Sequence, residues 1–198
     1  MQRAAVVALV TWLVASGVAS SAELGLELNA GTNTSWAQVS GPSAFDTDSG
    51  TGFLGGVALV VRLNDRWSVE PGLLYGELKF SSSSFDPAAR IRSRAFLLPV
   101  PVTLHWNSTG AVSPHVAAGP QLAFIGRTRQ SFGGFETDVS DDVRDLDVEL
   151  LLGAGLAIRA GRGRLTLELR HAIGLRNVDE TENEIKVRSL QLLVGYQF

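Results

Sequence analysis

The chain has 198 residues, 45% hydrophobic and 19% charged, with 21 glycines and a formal net charge of −3. Its length fits one domain, and its apolar content is too high for a disordered chain. It has no cysteine, which excludes disulfide frameworks, thiol redox sites, Cys-ligated zinc and a lipoprotein anchor; the acidic balance without a basic run argues against a nucleic-acid face.

Residues 1–22 read as a secretory signal peptide. Arg3 precedes an apolar run, Ala4–Ala15, and small residues follow from Ser16 to Ala22. A positive start, an apolar run of ~12 residues and a small-x-small end make that pattern. The run is short of the ~20 residues a membrane-spanning helix needs. Cleavage is predicted after Ala22, leaving residues 23–198 as one domain.

After Ala22 no apolar window is long enough for a membrane helix, and no 3.6-residue period is sustained. What recurs is period-2 alternation broken by Gly, Pro, Asn and Asp, which predicts strands. Eight are predicted: Glu23–Gly31, Gly52–Leu63, Trp67–Phe80, Arg92–Trp106, Ser113–Gly126, Leu146–Ala160, Arg164–Leu175 and Val187–Phe198. Short connections lie at Asn64–Arg66, at the segment following Trp106 and at Gly161–Gly163. The others are long: Thr32–Thr51, Ser81–Ile91, Arg127–Asp145 and Arg176–Lys186. An even strand count with alternating short and long connections predicts an all-β fold, an eight-stranded antiparallel up-and-down transmembrane barrel with its short turns in the periplasm.

The sixth, seventh and eighth predicted strands each have two unlike faces. Leu190, Leu192, Val194, Tyr196 and Phe198 share one side of the last strand, and Leu165, Leu167 and Leu169 one side of the seventh. The opposite sides mix small and charged residues. A soluble barrel puts its large apolar residues inside. Here the small and charged face makes a poor dry core, and the apolar faces run for about the 10 residues of a tilted membrane strand, so they are assigned to lipid. Trp67, Trp106, Tyr196 and Phe198 near one end, with Phe53 and Phe80 near the other, fit interfacial girdles. A soluble lipocalin-like binding barrel is the alternative.

The C-terminal run Ser189–Phe198 resembles the terminal strand of bacterial outer-membrane proteins. That resemblance implies that Leu192, Val194, Tyr196 and Phe198 are read by the barrel-assembly machinery. The mature chain as a whole resembles the PorT-like outer-membrane β-barrel domain family. The residues that carry this are Val69–Tyr75, Phe96–Val102, His115–Pro120, Leu152–Gly155 and Leu169–Leu175. The resemblance implies an OmpA- or OmpX-like eight-stranded barrel in the outer membrane, with outer-membrane lipid, lipopolysaccharide and periplasmic chaperones as partners. It implies no single activity and no cofactor.

On the alternation, Glu27, Arg62, Glu70, Glu149, Arg159, Glu168 and Arg170 face the lumen. Eight strands leave an interior just wide enough for side chains to fill, where charges must be paired. A Glu/Arg ion-pair network that plugs the lumen is predicted, centred on Arg170 with Glu149 or Glu168. A proton or small-ion path is the sharper alternative. Strand glycines, among them Gly153, Gly155 and Gly195, are expected at sites of close packing, and Pro99 and Pro101 at a bulge or weakly paired edge.

The long connections carry most of the carboxylates, including Asp138–Asp145. That segment lacks the spacing of a dedicated Ca²⁺ loop, so no metal site is assigned. A hydrolase acting on lipid A needs Ser, His and a carboxylate within reach of one another. His105 and His115 fall in the periplasmic half, and His171 has no Ser partner on its own strand, Ser189 being a neighbour only in an unproven register. The reading is therefore non-enzymatic: a barrel with acidic outer loops acting in membrane integrity or surface interaction. An accessory role in protein secretion or outer-membrane assembly is the alternative.

Overall fold

The computed structural model describes residues 23–40, 48–82, 89–107, 110–132, 135–138, 146–175 and 184–198. The predicted signal peptide and most of the acidic connections lie outside these residues. The strands are β1 (Glu23–Ser40), β2 (Asp48–Arg62), β3 (Trp67–Val69), β4 (Gly72–Ser82), β5 (Ala89–Pro99), β6 (Val102–His105), β7 (Val112–Phe132), β8 (Phe135–Asp138), β9 (Leu146–Ala160), β10 (Gly163–Gly174) and β11 (Glu184–Gln197).

All pairings are antiparallel, and β11 pairs back onto β1 from Glu27↔Gln197 to Ser40↔Glu184, closing the sheet into a barrel. Closure leaves no unpaired edge in lipid, where an exposed backbone amide has no water to bond. The staves in order are β1, β2, β3 with β4, β5 with β6, β7, β9, β10 and β11. These are the eight predicted strands.

Two staves are broken by proline. Pro71 parts β3 from β4, and the Pro99–Pro101 segment parts β5 from β6. Proline has no N–H to give the ladder. The neighbouring amides are served across the gap: Glu70 N donates to Pro101 O, Val100 N to Pro120 O and Leu59 N to Pro71 O. Pro99 and Pro101 are both fully buried.

The short turns are set by local chemistry. Asn64 Oδ1 accepts from the amides of Arg66 and Trp67 at 2.9 and 3.0 Å, an Asx turn between β2 and β3. Gly161 has φ 64°, the conformation that a two-residue hairpin asks of its first turn residue, here between β9 and β10.

The predicted long connections are shorter than the sequence reading has them. β1 continues to Ser40 and stays paired with β11 and β2, so the first connection shrinks to residues 41–47. β7 continues to Phe132 and turns into β8, with Phe132 facing Phe135. Within the predicted Arg127–Asp145 connection, residues 129–132 and 135–138 therefore pair as two antiparallel strands.

The face assignment follows the alternation. Leu24, Leu26, Leu28, Val57, Leu73, Phe96, Val116, Leu152, Leu156, Leu167, Leu169, Leu192 and Val194 are all exposed on the outer face. Trp67, Trp106 and Phe198 are exposed at the short-turn end, and Tyr196 packs edge-on against Phe198 with its hydroxyl donating to Ala160 O at 3.0 Å. Phe53, Tyr75 and Phe96 form an outward ring cluster on β2, β4 and β5. So large an exposed apolar band has no counterpart on a soluble monomer. It overturns the lipocalin-like alternative, in which these side chains would line a cavity.

Candidate functional site

The lumen is filled by side chains of two kinds. Leu54, Leu74, Leu78, Ala95, Leu97, Ala123 and Leu193 form a buried apolar cluster, with Ile125 packed against it. These come from β2, β4, β5 and β7, with Leu193 reaching in from β11. The sequence reading placed small and charged residues on the inward face, which holds for β9 and β10 but not here.

Facing this cluster is a polar assembly on β1, β3, β6, β7 and β10. Arg170 Nη2 donates to Glu168 Oε2 at 2.8 Å, and both side chains are buried. Glu168 Oε2 also lies 4.0 Å from His115 Nε2. Thr166 Oγ1 donates to Glu27 Oε1 at 3.1 Å. Ser68 Oγ donates to Glu70 Oε1 at 2.6 Å and lies 2.8 Å from His105 Nε2, which is 3.5 Å from the same carboxylate oxygen. The His105 and His115 rings sit 5.6 Å apart on adjacent strands.

Glycines make the room. A Cβ on Gly153 would meet Glu168 Oε1 at 2.6 Å, one on Gly155 would meet His115 Nε2 at 2.6 Å, and one on Gly195 would meet Glu27 Oε1 at 2.7 Å. Each of these glycines lies against a polar side chain of the neighbouring strand. This gives the close packing expected of them a specific partner.

The seven predicted lumen residues therefore divide by depth. Glu27, Glu70, Glu168 and Arg170 belong to the assembly just described. Glu149 lies deeper along β9 and accepts from Gln121 Nε2 at 2.5 Å, so an amide, not Arg170, is its hydrogen-bonding neighbour. Arg62 and Arg159 sit at the short-turn mouth, where Arg62 Nη2 donates to Gln197 Oε1 at 3.4 Å. Alternation along one strand tells which side a residue takes but not how deep it sits, which depends on the register between strands.

Ser68, His105 and Glu70 are a serine, an imidazole and a carboxylate in contact, and sequence reasoning did not bring them together. Catalytic triads place the carboxylate on the ring nitrogen away from the serine. Here Glu70 and Ser68 approach the same Nε2, and Glu70 takes the hydroxyl proton donor directly, so the arrangement lacks the relay geometry. His171 faces outward against the Trp36 ring at 5.8 Å, while Ser189 is buried inside, so those two lie on opposite faces of the wall. Among the described residues no three metal-ligating side chains converge.

The comparisons with known proteins accord with this geometry. The sequence matches the outer membrane protein beta-barrel domain family over residues 15–180. The chain belongs to that family. No curated protein matches it. Among solved structures it is similar to OprG of Pseudomonas aeruginosa, with 11% identity, a TM-score of 0.52 and coverage of 88% of this chain and 95% of that one. It is likewise similar to Ail, the attachment invasion locus protein of Yersinia pestis, crystallised with the heparin analogue sucrose octasulfate: 17% identity, TM-score 0.51, 89% and 99% coverage. Neisserial surface protein A aligns at 16% identity and a TM-score of 0.49, covering 90% of this chain and 98% of that one. Identities this low speak for the fold alone. The protein is a β-barrel of the bacterial outer membrane.

Proposed function

We propose that this outer-membrane barrel is non-enzymatic and works at its outer rim, in surface interaction or membrane integrity, and not through its lumen. The observation that carries the reading is the contrast between a packed interior and extended outer strands. Leu74, Leu151, Leu193, Gln121 and Gln191 are fully buried side chains of the inward face, while β1 and β7 run on beyond the lipid-facing band and β7 folds back as a hairpin. The working partners are then the lipid and lipopolysaccharide around the rim. The barrel-assembly machinery and periplasmic chaperones serve biogenesis, with Leu192, Val194, Tyr196 and Phe198 on one outward face as the assembly signal.

The experiment is reconstitution in a planar bilayer together with mass spectrometry of lipid A from expressing cells. The expected result is no stepwise conductance and unaltered lipid A. Porin-like steps would overturn the closed lumen, and altered acylation would make the barrel an enzyme. The alternative role in secretion or assembly rests on the resemblance to the PorT-like domain. Gene deletion separates the two, because loss of a secreted cargo belongs only to the alternative.

A further inference from the structure

The short-turn end of the barrel opens into a cavity of about 440 Å³. Four arginines line it: Arg62 at the end of β2, Arg159 near the end of β9, Arg162 in the turn that follows, and Arg164 at the start of β10. Glu23 is the acidic side chain of that lining. Arg159 and Arg164 face each other in register across β9 and β10. Like charges directly opposite on paired strands are destabilising. Arg62 and Arg159 both repel Arg164, while Glu23 attracts it.

We propose that this mouth is a binding site for a multivalent oxyanion of phosphate class on the periplasmic side of the membrane. Guanidinium groups present planar forks of donors that match phosphate oxygens two at a time. Several such forks around one concavity hold a polyanion where single surface arginines do not. The volume falls in the range of small-molecule sites. The site lies at the opposite end from the rim proposed above and is independent of that reading.

The probe is inorganic pyrophosphate, titrated calorimetrically at low salt into the full mature barrel refolded in a non-ionic detergent. Saturable one-site binding is expected. It should weaken tenfold or more in Arg159→Gln/Arg164→Gln, and by a smaller factor in Arg162→Gln, which changes only a turn and keeps the variant series informative if the double variant does not fold. Arg92→Gln/Arg94→Gln, on the outer face near the other end, should bind as the parent does. No saturable binding by the parent at millimolar pyrophosphate would overturn the proposal. So would equal weakening in the Arg92/Arg94 variant, which would mean nonspecific attraction to cations. Refolding into phosphatidylglycerol and phosphatidylcholine vesicles separates the two sources of such a group. Competition by the anionic lipid identifies a phospholipid headgroup as the occupant, and its absence identifies a free phosphorylated solute.

Discussion

Across the lumen, β2, β4 and β5 close the barrel with leucine and alanine, whereas β1, β9 and β10 close it with Glu27, Glu149, Thr166, Glu168 and Arg170. Both walls exclude open space, but by different physics. The leucine wall fills volume with contacts that have no direction. Each buried leucine contributes ~1.5–3 kcal/mol and tolerates exchange for a side chain of similar size. The charged wall fills the same volume with groups that are stable only in pairs, because a buried ion without its counterion costs several kcal/mol. One wall is forgiving of identity and demanding of volume. The other demands particular partners, and through them a register between β10 and its neighbours.

The largest expected effect comes from leaving one charge alone. Arg170→Ala strands the buried Glu168 carboxylate, and urea unfolding of the refolded barrel should show a loss of about 3–5 kcal/mol. Loss of under ~1 kcal/mol would mean that the charged wall is as forgiving as the leucine wall. On that opposite wall, Leu74→Ala removes a fully buried side chain and should cost about 2–4 kcal/mol, while Leu74→Met should cost less than about 1.5 kcal/mol in the same assay. If the two substitutions cost the same, volume is not what that wall supplies.

Smaller effects sharpen the boundary between the walls. Gly195→Ala places a methyl group against Glu27 and Thr166 and should lower stability by about 1–3 kcal/mol. Gly126, whose added Cβ would find only Arg94 O at 3.3 Å, is the matched control and should change little by the same melt. Last, Ser93 Oγ and Thr128 Oγ1 form a buried bond at 2.9 Å. Ser93→Ala should cost about 1 kcal/mol, since it removes one partner of that bond.

Much of this comparison was legible in the residues themselves. The period-2 pattern identified the eight staves, and the lipid-facing side of those with one plainly apolar face, β9, β10 and β11, because one-residue alternation is a property of a single strand. It also placed Glu168 and Arg170, two residues apart on β10, on the same side. The apolar wall was harder to read. Strands such as Gly52–Leu63 carry leucine and valine on both faces, one toward lipid and one toward the lumen, so hydrophobicity alone does not separate them. Depth was not legible either: Arg62 and Arg159 share a parity with the lumen residues but end up at the mouth, since stagger between staves is set by closure of the whole ring. The β7–β8 hairpin did carry a local signal. The sequence has two consecutive glycines, Gly133 and Gly134, a dipeptide that signals a hairpin, yet the acidic residues after it made the segment look like a simple loop.

A double-mutant cycle on Glu168 and Arg170, read as urea unfolding of the refolded barrel, tests the account most directly. Each single variant, Glu168→Gln and Arg170→Met, leaves one buried ion without its partner, and the double variant removes both. The account predicts that the two losses do not add: the double variant loses less than the sum of the single variants, by a coupling of about 2–3 kcal/mol. Losses that simply add would contradict it, and would mean that the two side chains meet at 2.8 Å without holding the charged wall together.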